Sequence, residues 1–115
     1  MNERDSVRLR HMLDAAHSAL SFAQGRTRDD LDQDEMLVFA LTKAVEIVGE
    51  AANQVSSATR DELSTIPWPD VVGMRNRLVH VYFDIDLDVL WQTVAEDLPM
   101  LIDLVEPLVP HIEST

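Results

Sequence analysis

The sequence contains no cysteine and few aromatic residues, and it has far fewer basic than acidic side chains. Without cysteine the chain can form no disulfide, no zinc–thiolate site and no cysteine nucleophile, so the cytoplasm is its expected location. No apolar run reaches the roughly 18 residues that a membrane span requires, and residues 1–5 do not resemble a signal peptide. These absences predict a cytoplasmic protein with no membrane segment.

The charge balance is strongly acidic, because 9 lysines and arginines stand against 21 aspartates and glutamates, for a formal net charge of −12. Nucleic-acid binding over a broad surface usually needs a basic face, which this composition does not supply. The two tryptophans, one tyrosine and three phenylalanines form no row on which bases could stack. Any site for a phosphate group must therefore be local, whereas the acidic surface would suit a basic protein partner.

Helical periodicity dominates the 115 residues, of which 46% are apolar. Apolar residues recur at three- and four-residue steps, and alternation with a period of two is nearly absent. We predict an all-α fold in one domain, residues 1–115, with four main helices packed as a bundle. The expected helices are residues 6–24 with Asp5 as N-cap and Gly25 as stop, residues 34–56, residues 69 to about 80, and residues 86–109 with a kink or break at Pro99.

The second predicted helix carries two neighbouring apolar stripes, so it is either central in the fold or shared with a partner chain. One stripe is Leu37, Leu41, Ala44, Val48, Ala51 and Val55, and the other is Val38, Val45 and Ala52. A polar stripe of Lys43, Glu46, Glu50 and Asn53 runs beside them. It is either an exposed face with a helix-surface ion pair or a face on which Glu46 or Glu50 meets the arginines of residues 73–82.

The residues most suited to chemistry cluster in 73–82, directly after a proline-rich turn. On a helix, Asn76 and His80 are four residues apart and share a face, while Arg75 lies about 100° away and could flank the same cleft. Tyr82 follows the expected helix end, where it could fold back beside His80. Histidine can serve as general acid and base near neutral pH, and arginine can stabilise a phosphate that gains charge in its transition state.

The same residues also allow a purely structural interpretation. Arg75 could form an ion pair with Glu46 or Glu50, and His80 could cap the carbonyl groups at a helix end. Arg77, two residues after Arg75, is expected to point elsewhere and to be a surface or RNA-contact residue.

The alternating aspartates Asp84, Asp86 and Asp88 resemble the start of a calcium-binding loop. Such a loop needs a glycine at its sixth position, and Val89 occupies that position here. We therefore expect a helix N-terminus at this point and no metal site.

The spacing of Arg75, His80 and Tyr82 matches the R-x4-H-x-Y pattern of the HEPN superfamily. The sequences around this motif resemble the HepT branch of that superfamily, and the similarity extends over nearly the whole chain. The resembling segments are residues 46–52, 66–68, 71–80, 82–83 and 85–87.

This resemblance implies an antiparallel helical bundle that forms a homodimer and is the ribonuclease toxin of a type VII-like toxin–antitoxin pair. RNA cleavage in such a family is independent of metal ions and of other cofactors. Carried onto this chain, His80 would activate the ribose 2′-hydroxyl or protonate the leaving 5′-oxygen. Arg75 would stabilise the charged phosphorane, and Asn76 would be a polar support.

The resemblance also implies a partner, a MntA-type nucleotidyltransferase antitoxin that transfers AMP to the motif tyrosine, here Tyr82. The added phosphate and adenosine would place negative charge beside His80, where an RNA phosphate must bind. A second hypothesis for the function is a non-catalytic helical subunit that binds the nucleotidyltransferase or presents a substrate to it. A third hypothesis is a purely structural dimeric bundle. The acidic composition favours the second hypothesis, and the intact motif favours the ribonuclease.

Overall fold

All regular secondary structure is helical in residues 1–79 and 84–109, which are the residues that this computed structural model describes. The α-helices are α1 Glu3–Ala23, α2 Glu35–Gln54, α3 Ser57–Glu62, α4 Trp68–Val72, α5 Met74–Leu78, α6 Leu87–Gln92 and α7 Leu98–Val105. Two 3₁₀ turns, Arg28–Asp32 and Glu106–Leu108, and one π turn, Thr93–Asp97, connect or extend them. The all-α fold class is therefore confirmed. None of the described helices is both long and apolar enough to cross a membrane.

The first helix begins earlier than predicted, because Asn2 and not Asp5 is its N-cap. The side chain of Asn2 accepts a hydrogen bond of 2.7 Å from the backbone N–H of Asp5. Asp5 itself is buried and accepts hydrogen bonds from the Ser56 N–H at 3.1 Å, the Ser56 hydroxyl at 2.6 Å and the Thr59 hydroxyl at 2.5 Å. It therefore joins the start of α1 to the start of α3, and α1 and α2 run antiparallel.

The second helix is central, as one of the two interpretations of its apolar stripes predicted. It packs against α1, α4, α5 and α6, and every residue of both stripes is buried within the single chain. Asp34 is its N-cap and accepts a hydrogen bond of 3.0 Å from the Leu37 N–H. Because the chain covers both stripes itself, the stripes do not require a second copy. Their apolar character is no argument for a dimer.

The helix predicted from residue 69 to about 80 is wrong in its continuity and its end. Gly73, with ψ of −1°, separates α4 from α5, and α5 stops at Leu78. Val79 has extended dihedral angles, φ −97° and ψ 124°, and forms an isolated β-bridge with Ile85. The Asp86 N–H donates to the Leu78 carbonyl at 2.7 Å, so the chain returns close to the end of α5 before α6 begins.

The last helical stretch is disturbed next to Pro99, as predicted. The Leu98 N–H donates to the Thr93 carbonyl five residues earlier, which is the widened hydrogen-bond pattern of a π turn. Pro99 has no N–H to continue the regular ladder, so the wider turn lies directly before it. The expected helix start is also confirmed, since Asp86 caps α6 by accepting from the Val89 N–H at 3.1 Å.

Candidate active site

Close packing of α4 and α5 on α2 positions the arginine of the motif. A Cβ atom on Gly49 would lie 3.3 Å from the Val72 carbonyl oxygen and 3.5 Å from that of Val71. The absence of a side chain on Gly49 therefore lets the backbone of α4 approach α2 closely. Met74 and Leu78 of α5 are buried, which leaves Arg75 at the surface beside α2.

Arg75 is held by Glu46, one of the two acidic residues expected to face it. Its Nε atom donates to Glu46 Oε2 at 3.2 Å, and Lys43 Nζ lies 4.0 Å from the other oxygen of the same carboxylate. The Arg75 side chain is 46% exposed, and its terminal nitrogens have no hydrogen-bond partner among the described residues. A guanidinium fixed through Nε keeps the paired N–H groups that can bind two oxygens of a phosphate.

Arg77 points away from Arg75, as predicted. Its Nη1 atom lies 3.9 Å from an Asp70 carboxylate oxygen, and its side chain lines a groove of about 350 Å³ between α4–α5 and α7. Met74, Met100 and Leu104 contribute apolar surface to that groove. The two arginines of α5 therefore face different surfaces of the molecule.

His80 and Tyr82 lie outside the described residues, so their predicted roles remain predictions. Asn76 is exposed on α5. The expectation that Asn76 and His80 share one helix face assumed a helix reaching residue 80, but α5 ends at Leu78 and Val79 is extended. The structure thus places Arg75 and Asn76 next to each other on α5, and Glu46 of α2 is a further neighbour of Arg75.

A polar pocket that no sequence pattern predicts lies on the face of α2 that carries Glu46 and Glu50. Arg8 and His11 of α1 line it together with Glu50 and Gln54 of α2, and its volume is about 260 Å³. No pattern in the sequence marks Arg8 as a site residue, because its neighbours depend on how α1 packs against α2. In residues 1–79 and 84–109, no three His, Asp or Glu side chains lie close enough together to hold a metal ion.

Comparisons with known proteins give consistent results over most of the chain. The family model described as "Ribonuclease HepT-like" matches residues 12–108. The chain is 34% identical over 102 residues to "Putative RNase MJ1380" of Methanocaldococcus jannaschii, covering 88% of this chain and 94% of that protein. It is 40% identical over 73 residues to "Probable ribonuclease HepT" of Thermococcus cleftensis, covering 64% of this chain and 66% of that protein. No solved structure matches the chain significantly.

Proposed function

This chain belongs to the ribonuclease HepT-like family, and on that basis we propose that it is an endoribonuclease acting through Arg75. The observation that supports this proposal is the state of Arg75, which is exposed, is fixed through Nε by Glu46, and has no partner for its terminal nitrogens in the part of the chain that the structure describes. A phosphate that gains negative charge in a transition state is the ligand this arrangement suits best. The positive charge needed for RNA is local, in a chain whose net charge is −12.

The proposed reaction is a transesterification within the RNA strand. The ribose 2′-oxygen forms a bond to phosphorus while the bond from phosphorus to the 5′-oxygen of the next nucleotide breaks. A base removes the 2′-hydroxyl proton, and an acid gives a proton to the leaving 5′-oxygen. We assign one of these two transfers to His80, stabilisation of the charged phosphorane to Arg75, and polar support to Asn76, with no metal ion required.

Regulation by a nucleotidyltransferase is part of the same proposal. A MntA-type antitoxin would transfer AMP from a nucleotide to the hydroxyl of Tyr82, forming a phosphodiester and releasing the nucleotide's remaining phosphates. The negative charge so introduced, two residues from His80, would oppose binding of an RNA phosphate. The basis for this step is the motif tyrosine and its position in the family pattern.

We also propose a homodimer, with its contact near the N-terminal end of α2. Met36 is 83% exposed and Phe39 is 64% exposed, although large apolar side chains are usually covered. A two-fold contact through these residues would leave the C-terminal half of α2, with Glu46, open to RNA. Two copies of the motif near one cleft would add their positive charges.

Growth and RNA cleavage test the ribonuclease proposal directly. The wild-type chain, Arg75→Ala, His80→Ala and the matched charge-loss control Arg4→Ala are induced without the partner at equal soluble levels. Cleavage by each purified protein is then measured in EDTA. We expect wild type and Arg4→Ala to arrest growth and cleave RNA, and the two motif variants to do neither.

Harmless expression of all four proteins, with intact RNA, would contradict the enzyme. The second candidate, a non-catalytic helical subunit of a nucleotidyltransferase, would then be favoured. Cleavage by wild type that disappears only in EDTA would keep the enzyme and overturn its independence of metal.

A further inference from the structure

Arg8 is the arginine whose state the proposed mechanism does not explain. Its Nε atom is buried and has no hydrogen-bond partner within the described part of the chain. A buried donor without a protein partner is unfavourable, so Arg8 Nε suits a ligand that supplies an acceptor.

The pocket that contains Arg8 has the chemistry of a nucleotide site. Arg8 and His11 offer N–H donors, Glu50 offers acceptors, and Gln54 offers both. Ile47 and Ala51 supply apolar surface to the same pocket, whose volume is about 260 Å³. A phosphate needs the donors, a ribose or a base edge needs both kinds of group, and the face of a base needs apolar contact.

The position of the pocket connects it to Arg75. Glu46, which binds Arg75, and Glu50, which lines the pocket, are four residues apart on α2 and therefore lie on one face, about one 5.4 Å turn apart. Arg75 reaches this face from α5, and Arg8 reaches it from α1. An RNA strand bound by Arg75 can thus continue along α2 to the pocket.

We propose that the pocket between α1 and α2 binds a nucleotide of the RNA substrate that flanks the cleaved bond, with Arg8 donating to its phosphate. This inference rests on the proposed ribonuclease function and adds a second contact to it. Gln54 and Glu50 bond the ribose or the base edge of that nucleotide. Arg8 is a binding residue here and takes no part in the bond-breaking step.

Substrate length tests the inference. Wild type, Arg8→Ala, Gln54→Ala and the control Arg4→Ala, which removes an exposed charge one turn away on α1, are assayed in EDTA. The substrates are a cleavable dinucleotide and an oligoribonucleotide with three further nucleotides on each side. Arg8→Ala should raise KM for the long substrate about tenfold and leave kcat/KM for the dinucleotide unchanged.

Salt provides an independent readout that a loss of stability would not change. Loss of one phosphate contact should reduce the slope of log KM against log salt concentration by about 0.7 for a single strand. Arg4→Ala should leave that slope as in wild type. Equal losses of Arg8→Ala on both substrates, an unchanged KM on the long one, or the same effect in Arg4→Ala would each overturn the inference.

Two further experiments cover the cases in which Arg8→Ala does not fold or wild type does not cleave RNA. If Arg8→Ala does not fold, Gln54→Ala is used in its place, since Gln54 is exposed, and it should raise KM for the long substrate about threefold. If wild type cleaves neither substrate, the proposed function fails. The inference is then judged by fluorescence anisotropy with a 2′-deoxy oligonucleotide of the same length, which Arg8→Ala must bind more weakly than Arg4→Ala does.

Discussion

Two groups of arginines in this molecule differ in how far their N–H groups are already used. In the connection between α1 and α2, Arg26 Nη2 donates to Asp34 at 2.6 Å, and its Nε lies 3.4 Å from Asp30. The hydrogen bond with Asp34 is the largest cause that raises the pKa of Arg26. This arginine is bound by two carboxylates and stabilises the turn that leads into α2.

Arg28 in the same connection is bound in a similar way. Its Nε donates to Asp88 at 2.6 Å, its Nη1 donates to Asp32 at 3.3 Å, and the hydrogen bond with Asp88 is the main cause that raises its pKa. On the open face of α2, by contrast, Arg75 donates through Nε to Glu46 at 3.2 Å, and the buried Nε of Arg8 has no hydrogen-bond partner within the described residues. The first group stabilises the fold, and the difference supports the proposal that the second group keeps donors for a ligand.

The largest expected effect is that substitution of Arg75 changes activity, whereas substitution of Arg26 changes stability. Arg75→Ala should lower the rate of RNA cleavage by about 10²–10³-fold, because a donor to a developing charge is lost, and should hardly change Tm. Arg26→Ala should lower Tm and leave the cleavage rate of the folded protein as in wild type. Both quantities are measured on the same preparations. A folded Arg26→Ala that does not cleave RNA would break the distinction between the two groups.

Asp5, a buried acid held by hydrogen bonds from neutral donors, sharpens this comparison. Asp5→Ala should lower the free energy of unfolding by about 3 kcal/mol, because charged hydrogen bonds are lost and donors of Ser56 and Thr59 remain buried. Urea unfolding at pH 7 measures the difference. A loss as small as that expected for an exposed residue would show that the hydrogen bonds around Asp5 contribute little.

The same substitution has a defined pH dependence. Hydrogen bonds from the side chains of Ser56 and Thr59 hold the pKa of Asp5 below its usual value in the folded state. The stabilisation is therefore fully present above the unfolded pKa of about 4 and is lost as pH falls through the lower folded-state pKa. The stability difference between wild type and Asp5→Ala should therefore shrink as the pH falls below about 4 and toward the lower folded-state pKa. A difference that is constant with pH would contradict this assignment.

Glu46 should have a smaller effect than Arg75, because it acts through that residue. Glu46→Ala frees the guanidinium and should lower kcat about tenfold, which corresponds to about 1.4 kcal/mol. Glu46→Gln retains an acceptor for Nε and should recover part of the rate. Lys43→Ala is the control, since Lys43 lies 4.0 Å from the same carboxylate and its loss leaves the acceptor of Arg75 Nε in place. Equal rates in wild type and Glu46→Ala would show that Arg75 needs no such support.

The smallest effect expected is that of Gly49→Ala. The new methyl group gains about 1 kcal/mol of helix propensity, but it also meets the Val72 carbonyl oxygen at 3.3 Å and displaces α4. We expect little net change in Tm and a decrease in kcat of about two- to fivefold. Gly25→Ala is the control for a substitution that strains the backbone without touching the α2–α4 contact. The positive φ of 74° at Gly25 makes alanine strained there. A fully active Gly49→Ala would show that the α2–α4 distance is not critical.

Much of the fold follows from local sequence signals. Asp34 at the start of α2, Gly25 after α1, and the disturbance next to Pro99 all depend on residues within one or two helical turns. The apolar stripes of α2 likewise follow from a period of 3.6 residues, and the side-chain chemistry of Arg75 and Asn76 makes them candidate site residues. Glu46 as the neighbour of Arg75 was one of two alternatives that helix spacing alone could not separate.

The amino-acid sequence by itself therefore determined the fold class and several helix boundaries, because these depend on caps, turns and periodicity within a few residues. Only the tertiary structure decided that Asp5 is buried against Ser56 and Thr59, and that α5 stops at Leu78. It also decided that Arg8 and Glu50 line one pocket. Each of these outcomes depends on groups distant in the chain or on the packing of neighbouring elements, which no local pattern specifies.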